Sequence, residues 1–373
     1  MSVALVMGAV LVGLFTSHPA HLARSTVSGT PATAAREVVS PYDPASSRPI
    51  SHAASAVDAP APTTASTASS AAASTAPKLR SPSSADDPDV ALAYGRGLDP
   101  YSLTGIPAGW TTSTRNLVVG GLSRSYLMIR PPVEQGAHLP VVMVLHGRGL
   151  TPAAIERISH LVPVVGRAIT VFPAGWDRSW NAGGCCGVAH RLAVPDTAFL
   201  TSVVHQVLAT QQDASSRRVY LVGYSNGGRM AMRLACADPG LFAGLAAVEA
   251  VPAAPCARTV PLPTVLVDST ADPLLTIATD GPKKIMQGYV EPTVGQTVDQ
   301  WRQLNGCSTA ASSQASGLVT TTAWSHCEGR GKVQYDLYQG GSHRWPVGGG
   351  ATASAQSLVA GFLLGRGASP ASS

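Results

Sequence analysis

The chain has 373 residues, enough for one large α/β domain, but only 13% of them are charged and the formal net charge is +5. With no Lys/Arg block and no basic stretch interleaved with aromatics, that balance gives nucleic-acid binding no footing, and no nucleic-acid partner is expected. Six cysteines, with neither a CxxC nor an HExxH pattern, argue against a zinc site and, in an exported chain, for disulfides.

The chain opens with a nearly pure apolar run, Val3–Phe15. It falls short of the about 20 residues that span a bilayer but suits the hydrophobic part of a signal peptide. Small residues follow at Ala20 and Ala23, whereas no Lys or Arg precedes the run. Residues 1–24 are therefore expected to act as a signal peptide or a signal anchor. They would make the protein secreted or extracytoplasmic, or associate it with the cell envelope. Residues 25–88 are dominated by Ala, Ser, Thr and Pro. Such a stretch buries too little apolar surface to offset chain entropy and reads as a disordered linker. Folded sequence is expected over residues 89–365, with a disordered tail over 366–373.

Within that span the first predicted elements are strands at 116–119 and 123–130 around Gly120-Gly121, a hairpin signal. Short apolar runs follow at 140–145, 169–172, 218–222, 245–251 and 264–267, with a last strand at 333–338. Continuous apolar runs suit strands buried on both faces. Helices are expected at 196–211, 227–236, 294–304 and 354–364. Strands alternating with helices predict an α/β domain with a mostly parallel sheet covered on both faces.

The sharpest chemical signal is Gly223-Tyr224-Ser225-Asn226-Gly227, a G-x-S-x-G sequence between a buried strand and a helix. The glycines are needed where a strand turns sharply into a helix and neighbouring backbones crowd the turn, which lifts the Ser225 hydroxyl clear of the sheet. Serine is a weak nucleophile until a base, itself oriented by an acid, takes its proton. In this chain order the acid follows the serine after a later strand, which offers Asp268 or Asp272. The base comes last, which points to His343. His326 precedes the final strand and reads as a loop histidine. The oxyanion donors are expected to be the backbone N–H of Asn226 and, from the loop after the early strand, that of Arg148. His146 precedes the acid in the chain and reads as a residue that shapes this loop. Trp180 and Trp345 suit either an apolar substrate cleft or the core, and Tyr224 beside the serine is a further cleft candidate.

These residues resemble the polyhydroxybutyrate-depolymerase-like esterases, a group that includes feruloyl and acetyl-xylan esterases. The resemblance rests on Tyr126 to Pro132, Val144 to Gly147, Trp180 with Cys185-Cys186-Gly187, Asp196 with Phe199, and Gly223 to Gly228. It continues through Thr270 to Pro273, Trp301 with Asn305 to Cys307, and His343 to Pro346. It implies an α/β-hydrolase fold, a Ser225–His343–Asp272 triad with Asp272 preferred to Asp268, and no metal or organic cofactor. Two departures stand out: Pro195 replaces the first of a usual aspartate pair, and Asp268-Ser269 replaces a usual His-Gly. In this frame Cys307 and Cys327 flank a polar loop and are expected to pair, as are Cys236 and Cys256. Cys185 and Cys186 then pair with each other or stay free. The insertion at 274–293 is expected to border the site. The expected partner is a small-molecule or polymeric ester: a short acyl ester, a polyhydroxyalkanoate oligomer or an acylated polysaccharide. An acyltransferase using the same triad and a decayed hydrolase serving as a surface binding protein are the competing functions.

Overall fold

The computed structural model describes residue 103 and residues 105–365, apart from 134–135, 258–259, 279–280, 282–284 and 287. The signal segment, the linker and the C-terminal tail inferred from sequence lie outside the described residues. Among the described residues no helix is long and apolar enough to cross a membrane.

The domain is built on a ten-stranded sheet whose strands lie in the order Thr111–Val119 (β1), Leu122–Arg130 (β2), Ile169–Pro173 (β4), Leu139–Leu145 (β3), Ala214–Tyr224 (β5), Gly244–Val248 (β6), Thr264–Ser269 (β7), Val333–Tyr338 (β12), Val319–Trp324 (β11) and Ser312–Ser316 (β10). The first hairpin is β1 (Thr111–Val119) and β2 (Leu122–Arg130), turning at Gly120-Gly121. Both glycines have positive φ, +57° and +76°, which is why the turn takes glycine. The central strands are β3 (Leu139–Leu145), β4 (Ile169–Pro173), β5 (Ala214–Tyr224), β6 (Gly244–Val248) and β7 (Thr264–Ser269). All are mutually parallel, and β12 (Val333–Tyr338) pairs parallel to β7. Only β2 runs antiparallel to its central neighbour, β4.

Every residue of β3 is buried, because the pleat sends Val141, Met143 and Leu145 into one core and Val142 and Val144 into the other. The first core is closed by α4 (Asp196–Thr210), α5 (Asn226–Ala237) and α6 (Val294–Leu304). The second is closed by α1 (Pro152–Ser159), α2 (Leu161–Val165) and α7 (Ala355–Leu364). A short helix, α3 (Gly187–Arg191), lies between β4 and α4. This strand order, with one antiparallel strand near the start and helices on both faces, is the α/β-hydrolase fold.

Three features depart from the sequence reading. Helices α1 and α2 were not expected, although Thr151-Pro152 carries a helix start: the Thr151 hydroxyl accepts the Ala154 N–H at 3.2 Å and Pro152 takes the first helical position. The supposed polar loop between Cys307 and Cys327 holds a hairpin, β10 (Ser312–Ser316) and β11 (Val319–Trp324), which extends the sheet beyond β12. Its Ser and Thr residues lack apolar alternation because this edge is mostly solvated, yet β-branched threonines suit a strand there. Within the insertion, β8 (Ile285–Met286) and β9 (Tyr289–Val290) form a separate two-stranded ribbon. The disulfides Cys185–Cys186, Cys236–Cys256 and Cys307–Cys327 are all formed, so the open alternative of free thiols at 185 and 186 is not realised.

Candidate active site

Ser225 sits between the end of β5 and the start of α5. Its φ of +53° and ψ of −121° put an L-residue where few side chains rest, a conformation held by the packing around it. Its N–H donates to Val248 O and its carbonyl accepts from Arg229 N–H, so both flanks of the turn are fixed. A Cβ on Gly223 would run into the Gly227 backbone, and one on Gly227 would strike the carbonyls of Leu145 and His146. The two glycines of the motif therefore let the nucleophile turn pack against the end of β3.

His343 lies in the loop after β12, and Asp272 in the loop after β7. His343 Nδ1 is 2.6 Å from Asp272 Oδ2, and His343 Nε2 is 2.7 Å from Ser225 Oγ. An ionised carboxylate only accepts, so the imidazole proton belongs on Nδ1. Nε2 is then the acceptor, and the Ser225 hydroxyl donates to it. Burial pushes the Asp272 carboxyl up, but hydrogen bonds from His343, Glu249 and the Leu274 N–H, with the attraction of His343, hold it below its usual value. Asp268 turns elsewhere: it is buried, its Oδ1 accepts the Ala250 N–H at 3.3 Å, and burial together with the Asp272 charge raises it well above its usual value.

The segment meant to supply the second oxyanion donor lies alongside the serine: a Cβ on Gly147 would stand 3.4 Å from Ser225 Cβ. Arg148 follows directly, and its side chain passes beside Gly187. Asn226 is the first residue of α5, where a helix leaves its N–H without an i−4 carbonyl. His146 belongs to this scaffold. Its Nδ1 donates to Gly147 O at 2.8 Å and its Nε2 accepts the Gly175 N–H at 2.9 Å. Burial lowers its pKa to about 4, which keeps the ring neutral in that double role. His326, in the loop between β11 and β12, is exposed.

The structure places the aromatic candidates in the core, the second of the two readings open for Trp180 and Trp345. Trp180, Tyr224 and Trp345 are 0%, 2% and 4% exposed. The Trp180 indole N–H donates to His146 O at 2.8 Å, and its backbone is gripped by the Asn226 side chain, which accepts from Trp180 N–H at 2.8 Å and donates to Trp180 O at 3.1 Å. The Tyr224 hydroxyl donates to His343 O at 2.9 Å, and its ring lies against both His343 and Trp345. Trp345 borders a cavity of about 390 Å³ shared with Ser342, Arg344 and Pro346, which does not include Ser225. These rings spend their surface holding the loops around His146, Ser225 and His343 in place.

Supports beyond the motif complete the setting. Arg124 donates to Asp196 at 2.8 Å with both side chains buried, and Asp196 also accepts the Asn181 N–H, which ties the loop after β4 to α4. The insertion starts at the acid, where Leu274 N–H donates to Asp272 Oδ1 at 2.6 Å. It is held to the nucleophile helix by a buried Arg229–Glu291 ion pair. Glu249, at the end of β6, escaped the sequence reading; its carboxylate, one oxygen of Asp272 and a nitrogen of His343 lie within 4.8 Å of one another. A lone acid inside the apolar run 245–251 was the available signal.

No family profile matches the chain. Over 261 residues, 64% of this chain and 75% of its relative, the sequence is 28% identical to NocK of Nocardia uniformis subsp. tsuyamanensis, a protein assigned as an esterase by name. Among solved structures, an acetyl xylan esterase from Aspergillus awamori aligns over 62% of this chain and 94% of its own, with TM-score 0.46 and 14% identity. A ferulic acid esterase aligns over 44% and 80%, with TM-score 0.34 and 15% identity. By its strand order and helical layers the chain is an α/β-hydrolase in fold, and in sequence it is similar to a protein named as an esterase.

Proposed function

We propose that this protein hydrolyses carboxylic esters through Ser225, His343 and Asp272. The observation that carries the reading is the unbroken hydrogen-bonded chain from Ser225 Oγ through His343 to Asp272, at 2.7 and 2.6 Å. Ser225 Oγ attacks the ester carbonyl carbon while His343 Nε2 takes its proton. The oxyanion is met by the N–H groups of Asn226 and Arg148. The tetrahedral intermediate collapses, the alcohol leaves with the proton returned by His343, and an acyl-Ser225 remains. Water, deprotonated by His343, then attacks the acyl carbon and restores the serine. Asp272, kept ionised, holds the ring in the tautomer this cycle needs and stabilises the imidazolium.

The substrate class we assign is short-chain esters, polyhydroxyalkanoate oligomers or acyl groups on polysaccharide, encountered outside the cytoplasm. It is supported by the resemblance at Cys185-Cys186-Gly187 and His343 to Pro346 and by the apolar segment Val3–Phe15. The test is hydrolysis of p-nitrophenyl esters of increasing acyl length by the full chain, with Ser225→Ala alongside. Turnover that peaks at short acyl chains and disappears in the variant supports the proposal. Equal turnover in both proteins rejects the assigned nucleophile, and a folded wild type without turnover rejects the reaction.

A further inference from the structure

Glu249 has no part in the proton path just described, yet the fold carries two costs to keep it. Its side chain is 0% exposed, and its backbone adopts φ +49°, a left-handed conformation that a residue with a long side chain rarely takes. Both costs have one geometric result. Directly after Val248, the last residue of β6, the turn carries the carboxyl across the ends of the strands to β7 and the triad acid. There one oxygen accepts the Ser269 hydroxyl at 2.5 Å, the other accepts the Ser269 N–H at 3.2 Å, and a carboxyl oxygen lies within 4.8 Å of an Asp272 oxygen and a His343 nitrogen. Two buried carboxyls this close do not both ionise readily, and a proton on one lets it donate to the other.

We propose, building on the triad reading above, that Glu249 is a positioning residue: a neutral carboxylic acid that donates its proton in a hydrogen bond to the Asp272 carboxylate and thereby fixes that carboxylate against His343 Nδ1. The neutral form suits its surroundings. Around it stand Asp268 and Asp272 from β7 and the loop that follows it, Tyr335 and Tyr338 from β12, and His343 from the loop after β12. Burial first, and the Asp268 charge next, push the Glu249 carboxyl well above its usual value. Asp272 is held low, so the shared proton rests on Glu249. Ser269 fixes the rest of the group, so the donor can point only at Asp272. Deprotonation of Glu249 at high pH would replace this donated bond by a repulsion between two carboxylates and release Asp272 from its alignment.

The experiment compares wild type, Glu249→Ala, Glu249→Gln and Ser225→Ala in ester hydrolysis across pH. Misalignment of the acid predicts that Glu249→Ala loses about 10- to 100-fold in kcat with KM little altered. Glu249→Gln retains a donor to Asp272, so it recovers most of that loss and lacks the alkaline fall of kcat that wild type shows. Equal impairment of the Gln and Ala variants, or a Gln profile that superimposes on wild type at high pH, overturns the proposal. Should Glu249→Ala fail to fold, Ser269→Ala removes the hydroxyl that holds the acid and is expected to give a smaller loss of the same kind. The low-field proton NMR resonance of His343 Nδ1–H gives a readout that needs no turnover: it should shift with pH on the alkaline side in wild type and stay fixed in Glu249→Gln. No alkaline shift in wild type, or the same shift in both proteins, rejects the role of Glu249. Turnover that survives in Ser225→Ala rejects instead the triad reading on which it rests.

Discussion

Replacing Asn226 by Ala tests whether the buried aromatics serve as scaffold. The side chain bonds both backbone groups of Trp180, and Trp180 in turn holds the carbonyl of His146 through its indole. Three segments meet there: the nucleophile turn, the loop after β4 and the loop assigned to the oxyanion. In Asn226→Ala the fully buried Trp180 N–H loses its acceptor, which costs about 1–3 kcal/mol. Trp180 O keeps the Cys186 N–H at 3.1 Å, so losing its second bond costs only about 0.5–1.5 kcal/mol. The sum is about 1.5–4.5 kcal/mol. With the disulfides kept oxidised and a urea dependence of about 3 kcal/mol per M, the unfolding midpoint should fall by about 1 M. The Ser225 turn should also lose its lateral support, so kcat should drop by more than KM rises. A destabilisation below about 0.5 kcal/mol with kcat intact would refute the scaffold role, because neither bond would then be holding the loop.

Gly227→Ala should cost about 3 kcal/mol and most of the activity, since its Cβ meets backbone carbonyls of Leu145 and His146 that cannot step aside; thermal melts and ester turnover check this. Tyr224→Phe removes the donor to His343 O and should cost about 1 kcal/mol while lowering kcat several-fold at constant KM, as read by steady-state kinetics. Burial raises the pKa of Asp336 to about 6, above its unfolded value, so its contribution to stability is full below the unfolded pKa and is lost as pH rises through about 6. Asp336→Asn removes that loss but disturbs the bonds from Thr321 and Gln334, so melts should show a gain of about 1–2 kcal/mol at pH 8 that vanishes near pH 4.

How much could be read in the sequence follows from what each segment buries. Strands β3 to β7 were legible because both their faces are covered, which leaves unbroken apolar runs such as Val141–Leu145. The meeting of Ser225, His343 and Asp272, the triad proposed above, was legible because the order of these residues along the chain follows from where the parallel strands end. Asp272 was separated from Asp268 only by resemblance; the structure adds the physical difference, a bond to His343 for one and burial beside the Ala250 N–H for the other. The roles of Trp180, Tyr224 and Trp345 were not legible, since a pocket and a core draw on the same side chains and only depth separates them. Hairpin β10–β11 was hidden because its Ser and Thr residues face solvent, and Glu249 because a single acid leaves no periodic trace.

Covalent capture would show whether Ser225 is a nucleophile activated by His343. The full chain would be treated with a fluorophosphonate probe and the labelled peptide identified by mass spectrometry. One equivalent of label is expected on Ser225 in wild type, with a labelling rate reduced by orders of magnitude in His343→Ala and a smaller reduction in Asp272→Asn. Label at another residue, or labelling of Ser225 at the same rate without His343, would contradict that role.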